Sequence, residues 1–481
     1  MGVLESYEPR EVLQYFEEIC AIPHGSGNVK QISDYCVEFA HHHNLEVYQD
    51  AMHNVIIIKE ACKGYEDVPP VIIQGHMDMV CEKTLDSPID FQKDGLDLRA
   101  DGEWIWAHGT TLGGDDGIAI AMALAILASD TWKHPRIEAV FTVDEEVGLL
   151  GAAGIDLSML KGKRMINIDS EEEGVITVGC AGGLTLTGRI PMTFEKSSGV
   201  SCRVTVSGML GGHSGCDIHK EHGNSNLVMG RVLHAAGCRM NIGIAAMSGG
   251  SKDNVIPRHT EATVVVGMED AERFENIIKE QSCILSREYA ASDPGIEVTC
   301  TCGKEDKCSV LTKQSYDTAL NALMNLPNGI QHWSKDVEGL VETSLNMGVM
   351  VLDESQLILR YSVRSSKATA KVYLARRAIA MIEYMGGTTE IDGDYPAWEY
   401  KNDSAIRDIF VQKYEELFGS RPRIEAIHAG LECGLIADKV EGLDCVSIGP
   451  DIRDIHTCAE KLSVPSTKRI WDLLIKVLET K

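Results

Sequence analysis

In "VIIQGHMDMV" (71–80) an apolar run stops at a glycine and presents His76 and Asp78. The pattern recurs along the chain. "IEAVFTVDEE" ends in Asp144, Glu145 and Glu146, and "RMINID" ends in Asp169. "LGGDDG" offers Asp115 and Asp116 in a glycine-rich turn, and "VSIGPDIRDIH" ends in His456. Imidazole and carboxylate together suit zinc, with manganese or cobalt next in line. Several carboxylates cannot share a poorly solvated site in ionised form unless a cation joins them. A catalytic zinc takes about three protein ligands, and roughly five or six candidates are present here. That is enough for two divalent ions sharing a carboxylate, as in hydrolytic two-metal sites.

Each feature alone also has a plainer reading. A histidine at a strand end can be merely hydrogen-bonded or solvated. A "DEE" run can be an exposed face. Acids after "LGG" can simply sit near the positive end of a helix. The ensemble argues for chemistry, because every member closes an apolar strand or opens a buried helix.

The elements that must position these groups read as α/β. "SYEPREVLQYFEEI" has helical spacing, with Pro9 in its first turn. "NVIIIK", "PPVIIQGH", "RIEAVFTV" and "RMINI" are short apolar strands, and "DDGIAIAMALAILAS" is a helix apolar on nearly every side. Strands alternating with helices predict a mostly parallel sheet, whose carboxyl ends gather ligands at one edge. Past "VGCAGG" (179–183) the texture changes. "LTLTGRIPMTF", "SCRVTVSGM" and "EATVVVGM" alternate with period two, and "ETSLNMGVMVLDESQLILRYSV" reads as a hairpin. "SNLVMGRVLHAAG", "DAERFENIIKEQSCIL" and "KATAKVYLARRAIAMIEYM" are the helices of this second unit. After Pro396 the α/β texture returns with "RIEAIHAG", "LECGLIADKV", "LDCVSIGP" and a final helix. The expected organisation is an α/β domain of residues 1–183 plus 396–481, interrupted by an α+β insert of residues 184–395.

The 481-residue length agrees with more than one core. The formal charge is −27, from 45 basic and 72 acidic side chains. Such a surface disfavours nucleic acid and anionic membranes as partners. No apolar run is long enough to span a bilayer, and the start lacks a basic then apolar leader, so a cytoplasmic protein is expected. The 15 cysteines show no framework of spacings and are expected to be reduced thiols. "CTCGKEDKC" (Cys300, Cys302, Cys308) lacks a standard zinc spacing and reads as alternating residues of a strand.

Taken in order, "GHMDMV", "LGGDDG", "DEEVG", "NIDSEEEG" and "HAGLECG" resemble the zinc metallopeptidase family that includes aminoacylase, carnosinase and bacterial carboxypeptidase G. "YPAW", "IHAGLECGL" and the long insert resemble a dipeptidase branch of it. The resemblance implies a catalytic domain carrying two zinc ions and an inserted lid that serves in dimerisation. It implies hydrolysis of short peptides with a free amino terminus, with Xaa-His dipeptides among the substrates. His76 and Asp169 would hold one ion, Glu146 and His456 the other, and Asp115 would bridge them. Glu145 would be the general base. Asp78 would hold the far nitrogen of His76, and Asp116 would not be a ligand. In the insert, His213 of "SGMLGGHSG" would donate to the oxyanion, from its own chain or from a partner's. Asn254 and Arg364 would hold the substrate backbone and its terminal carboxylate. Glu432 could meet the substrate's ammonium group, or be an acid placed at a helix N-terminus. A related N-acyl amino acid deacylase, a tripeptidase and an inactive metal-binding relative are the alternatives.

Overall fold

The computed structural model describes residues 2–481. Two compact units account for the chain. The first comprises residues up to Gly179, Tyr400–Ala426 and Leu431–Lys481, and the second Cys180–Glu399 with Ile427–Gly430. The insert therefore begins and ends a few residues from 184 and 395, and it also takes four residues of the "IHAG" turn.

The first unit is built on an eight-stranded sheet. Its order is Glu46–Gln49, Val55–Lys59, Ile137–Thr142, Val71–His76, Arg164–Asn167, Asp444–Ser447, Val175–Cys180 and Arg423–Ile427. Ile137–Thr142, Val71–His76, Arg164–Asn167 and Asp444–Ser447 pair in parallel. Pairings outside them, from Glu46–Gln49 to Ile137–Thr142 and from Asp444–Ser447 to Val175–Cys180, are antiparallel. The parallel pairings lie at the centre, where strands are buried on both faces and read as continuous apolar runs. The helix Gly114–Ala128 is apolar all round and lies in the core of this unit. Gly75 allows its close approach, because a Cβ there would come within 2.5 Å of both Asp116 and Ala119.

The second unit carries a nine-stranded sheet. Glu297–Leu311 and Thr388–Tyr395 close its two ends, and its strands pair antiparallel. The helices Ser225–Gly237, Ala271–Glu288, Lys313–Asn325 and Ala368–Tyr384 pack on it through apolar faces. Cys300, Cys302 and Cys308 do lie on one strand. The expectation of reduced thiols throughout is corrected at one point: Cys202 and Cys302 are disulfide-bonded. They stand opposite each other on neighbouring strands but are 100 residues apart in sequence, so no spacing betrays the pair. Among the described residues no helix is long and apolar enough to cross a membrane.

Candidate metal centre

The parallel strands deliver their ends to one place. His76 ends its strand, Glu145 and Glu146 follow Ile137–Thr142, and Asp169 follows Arg164–Asn167. Asp115 opens the buried helix in a non-helical conformation, so its carboxylate leaves the helix axis. Asp115 Oδ1 lies 3.1 Å from His76 Nε2, and Asp115 Oδ2 lies 3.2 Å from His456 Nε2. His456 Nε2 is also 2.9 Å from Glu146 Oε1, and His76 Nε2 is 3.8 Å from Asp169 Oδ1. Asp115, Glu146 and His456 form one group with ligand atoms within 4.8 Å of one another. His76 belongs to two more, with Asp116 and Asp169 and with Glu145 and Glu146. One carboxylate between two imidazoles, each flanked by another acid, is a bridging arrangement for two cations.

The electrostatics fit that occupancy. Burial pushes Asp169 well above the usual carboxylate range, and the charge of Asp116 adds to it. Burial likewise pushes Asp116 well up. Glu145 is raised to about 8, first by burial and then by Glu432, Glu146 and Asp115, against the pull of His76. His456 rises to about 10 through its contacts with Asp115 and Glu146. Burial opposes charge on His76, yet Asp115 and Asp78 outweigh it and hold the imidazole well above its ordinary value. Burial opposes ionisation of Asp115 as well, but His456 and His76 hold its carboxyl low. Acids and bases that both favour protons are signs of excess negative charge. The site calls for cations, and its N/O donor set is one that zinc, manganese or cobalt accepts.

Asp78 meets the far nitrogen of His76 through its main chain as well as its carboxylate. His76 Nδ1 lies 2.9 Å from the main-chain carbonyl of Asp78, whereas the Asp78 carboxylate is 3.5 Å away. Fixing the imidazole therefore falls first to the carbonyl. The carboxylate accepts from the main-chain N–H of Glu145 at 3.0 Å, from that of Glu146 at 3.4 Å, and from Ser26 Oγ at 2.8 Å. It braces the turn that carries Glu145 and Glu146.

Two supports have no obvious sequence signal. Glu460 accepts from the main-chain N–H of Leu112, Gly113 and Gly114 at 2.7, 3.2 and 2.9 Å, and so holds the turn before Asp115. It lies four residues past His456, in a stretch without periodicity. Asp116 is fully buried and takes the main-chain N–H of His76 at 3.2 Å. It also belongs to the His76 and Asp169 group, a place the sequence did not assign to it.

Glu432 is the first residue of the helix Glu432–Lys439 and is 0% exposed. Its Oε2 accepts from Gln74 Nε2 at 2.6 Å and from Thr142 Oγ1 at 2.5 Å. Burial leaves this side chain no exposed surface and raises its pKa, and its Oε1 has no hydrogen-bond partner.

The second unit brings its own three candidates together. The short strand Gly212–His213 pairs with Val255–Ile256, and Ser214 donates its N–H to the Asn254 carbonyl at 2.8 Å. His213 Nδ1 accepts from the N–H of Gly215 at 3.3 Å and of Cys216 at 3.1 Å. The ring proton must then sit on Nε2, the tautomer of a neutral donor. Burial, then the charge of Arg364, lower the His213 pKa and keep it neutral. Arg364 stands opposite Ser344 and Gly183, and its Nη1 donates to Tyr395 Oη at 3.0 Å. Gly183 leaves room for that reach, since a Cβ there would meet Tyr395 Oη at 2.4 Å. Arg364 is buried and its Nε has no partner. Sequence reasoning passed over His428, which is buried with Nε2 2.7 Å from Ser344 Oγ and feels the charge of Arg364.

Residues 72–480 match the peptidase family M20/M25/M40. The chain belongs to that family. It is 35% identical over 481 residues to the cytosol non-specific dipeptidase of Escherichia coli K12, covering 100% of this chain and 99% of that protein. The crystal structure of aminoacylhistidine dipeptidase from Vibrio alginolyticus superposes with a TM-score of 0.93 at 35% identity, over 99% of this chain and 97% of the other. Aminopeptidase PepT from Bacillus cereus shares the fold, with a TM-score of 0.56 at 16% identity over 98% of each chain. The family is one of metal-dependent peptidases, and the full-length relatives at 35% identity are dipeptidases.

Proposed function

We propose that this M20-family enzyme hydrolyses dipeptides that carry a free amino terminus and a free carboxylate, with broad side-chain tolerance that includes Xaa-His. The reading rests above all on Asp115, whose two oxygens face His76 and His456, imidazoles from opposite ends of the chain. His76 and Asp169 would hold one divalent ion, Glu146 and His456 the other, with Asp115 between them. Zinc is the first choice for such donors. When bound, the pair of ions would acidify water and polarise the scissile carbonyl.

The protein's own groups do the rest. Glu145 is a carboxylate with raised proton affinity on a turn braced by Asp78, suited to take a proton from water and hand it to the leaving amine. His213, neutral with its proton on Nε2, would donate to the developing oxyanion. Arg364 would grip the terminal carboxylate, and Asn254 would take the peptide backbone. With Glu432 sealed away, no side chain is assigned to the substrate's ammonium group. Discrimination against N-acyl amino acids therefore has to be read from turnover.

The test is metal-depleted enzyme assayed on a dipeptide panel after zinc, manganese or cobalt is restored. N-acetyl amino acids and tripeptides serve as competitors. Dipeptide turnover restored by metal is expected. Preferred cleavage of N-acetyl substrates would replace this reading with a deacylase. The Glu145→Gln variant should keep its metal and lose about 10²–10⁴ in turnover.

A further inference from the structure

Three sulfur atoms of the insert lie on one face at the edge of its sheet. Cys202 on Phe194–Ser207 is opposite Cys302 on Glu297–Leu311, and Val204 is opposite Cys300. Residues two apart on a strand share a face, so Cys300 sits beside the Cys202–Cys302 bond. Its Sγ is 3.9 Å from Cys302 Sγ, and all three sulfurs fall within 4.8 Å of one another. Cys202 is part of the insert's apolar core, and Cys300 and Cys302 pack against that core while half-buried. Glu275 and Lys279 of the helix Ala271–Glu288 supply the charges felt by the Cys300 thiol. None of the three cysteines has a part in the hydrolysis described above.

Thiolates around a zinc-sized ion stand about 2.3 Å from the metal, which puts neighbouring sulfurs about 3.8–4.0 Å apart. The Cys300–Cys302 separation of 3.9 Å already meets that requirement. Cys202 needs only release from its bond to Cys302 to supply the third corner, and neighbouring strands hold it in place.

We propose that, once the Cys202–Cys302 bond is reduced, Cys202, Cys300 and Cys302 form a trithiolate site for a thiophilic cation such as Zn²⁺ or Cd²⁺, and that remaking the disulfide closes it. The closing step is thiol–disulfide exchange with a low-molecular-weight disulfide. The S–S bond of the small molecule breaks, the Cys202–Cys302 bond forms, and two small thiols leave with the two protons and two electrons. Opening is the same exchange run backwards by small thiols. In the open state each cysteine gives up its proton as the cation binds. The spacing of "CTC" alone does not describe this site, because its third ligand arrives from a strand 100 residues earlier in the chain.

The experiment uses the full-length enzyme in two forms, one reduced with a phosphine and freed of reductant and metal, the other oxidised with a small disulfide. Each is titrated with Cd²⁺ while the ultraviolet sulfur-to-cadmium charge-transfer band is followed. Imidazole and carboxylate sites give no such band, so the hydrolytic centre stays silent. The reduced enzyme should show a saturable band of three-thiolate intensity that the oxidised enzyme lacks, while the hydrolytic centre of both forms takes up Cd²⁺ without a band. Cys300→Ser, at a half-buried position that leaves the disulfide intact, should cut the band by about one third and weaken Cd²⁺ binding at least about tenfold. Dipeptide turnover of that variant reports that it is folded. No band in the reduced enzyme overturns the proposal. So does a band that persists unchanged in Cys300→Ser, because the sulfurs would then lie elsewhere.

Discussion

The Glu432 carboxylate accepts a hydrogen bond from the Gln74 amide, Oε2 to Nε2 at 2.6 Å, on the strand that ends at His76. Gln74 Oε1 in turn accepts from Asn167 Nδ2 at 2.6 Å, and Thr142 Oγ1 donates to Glu432 at 2.5 Å. Gln74, Thr142 and Asn167 lie on the strands that lead to His76, to Glu145 and Glu146, and to Asp169. One buried acid at a helix start thus ties together three strands that lead to proposed ligands. Groups that orient ligands from behind typically contribute about 10–100-fold to metal affinity or activity. Glu432→Ala should show a loss of that size in metal titration. Glu432→Gln should lose less, because its amide oxygen still accepts from Gln74. The preference for free over N-acetylated amino termini should be unchanged in both. A shift in that preference would return Glu432 to the substrate site.

Metal removal should cost stability as well as activity. Without cations, Asp115, Glu145, Glu146 and Asp169 crowd one another, and the raised proton affinities of Glu145 and Asp169 register the strain. A ligand that binds only the folded state adds about 3 kcal/mol at roughly 100 times its Kd. Thermal melts of the chelator-treated enzyme should therefore show a lower Tm, recovered by adding back zinc. Asp115→Asn should bind less metal per chain, by elemental analysis, than either His76→Ala or His456→Ala, because only Asp115 faces both imidazoles. Equal metal content in all three variants would remove Asp115 from the bridge.

Arg364 offers a test of carboxylate capture. Its guanidinium is buried, held by Tyr395 and left with an unpartnered Nε. Lysine carries the charge but cannot make two parallel hydrogen bonds. A hydrogen bond to a charged group contributes about 1.5–3 kcal/mol, so Arg364→Lys should raise KM for free dipeptides by about tenfold or more. Dipeptide amides, which offer no carboxylate, should be nearly unaffected. An equal effect on both would assign Arg364 a purely structural part.

The candidate cluster was legible because metal chemistry restricts residue types and because apolar strands announce where they end; the proposed share of each residue came from the family resemblance. His76, Glu146 and Asp169 each follow such a run, and Asp115 follows a glycine turn. What was not legible depends on long-range pairing. Glu460 supports the "LGG" turn from 346 residues away, and Cys202 meets Cys302 only because two strands pair in one register. The main-chain carbonyl of Asp78 has no signature in the sequence, so its share in holding His76, beside that of the carboxylate, could not be read. Burial was least legible at Glu432. An acid next to a glycine-rich turn gives no sign of the Gln74 and Thr142 contacts.

His428 makes a pH prediction with a definite sign. Burial first, and then the charge of Arg364, lower its pKa from 6.5 to about 3 in the folded protein. The folded imidazole is therefore neutral, while the unfolded chain takes up a proton once the pH falls below about 6.5. Between these two values the unfolded state binds more protons, so stability must rise with pH across the window. The contribution is complete above pH 6.5 and is lost as the pH falls toward 3, by roughly 1 kcal/mol per unit. His428→Asn removes the titration. Denaturant melts of wild type and variant from pH 7 to pH 5 should show the stability gap between them narrowing as the pH drops. A gap independent of pH would mean that His428 titrates alike in both states and that Arg364 and burial exert no such pressure on it.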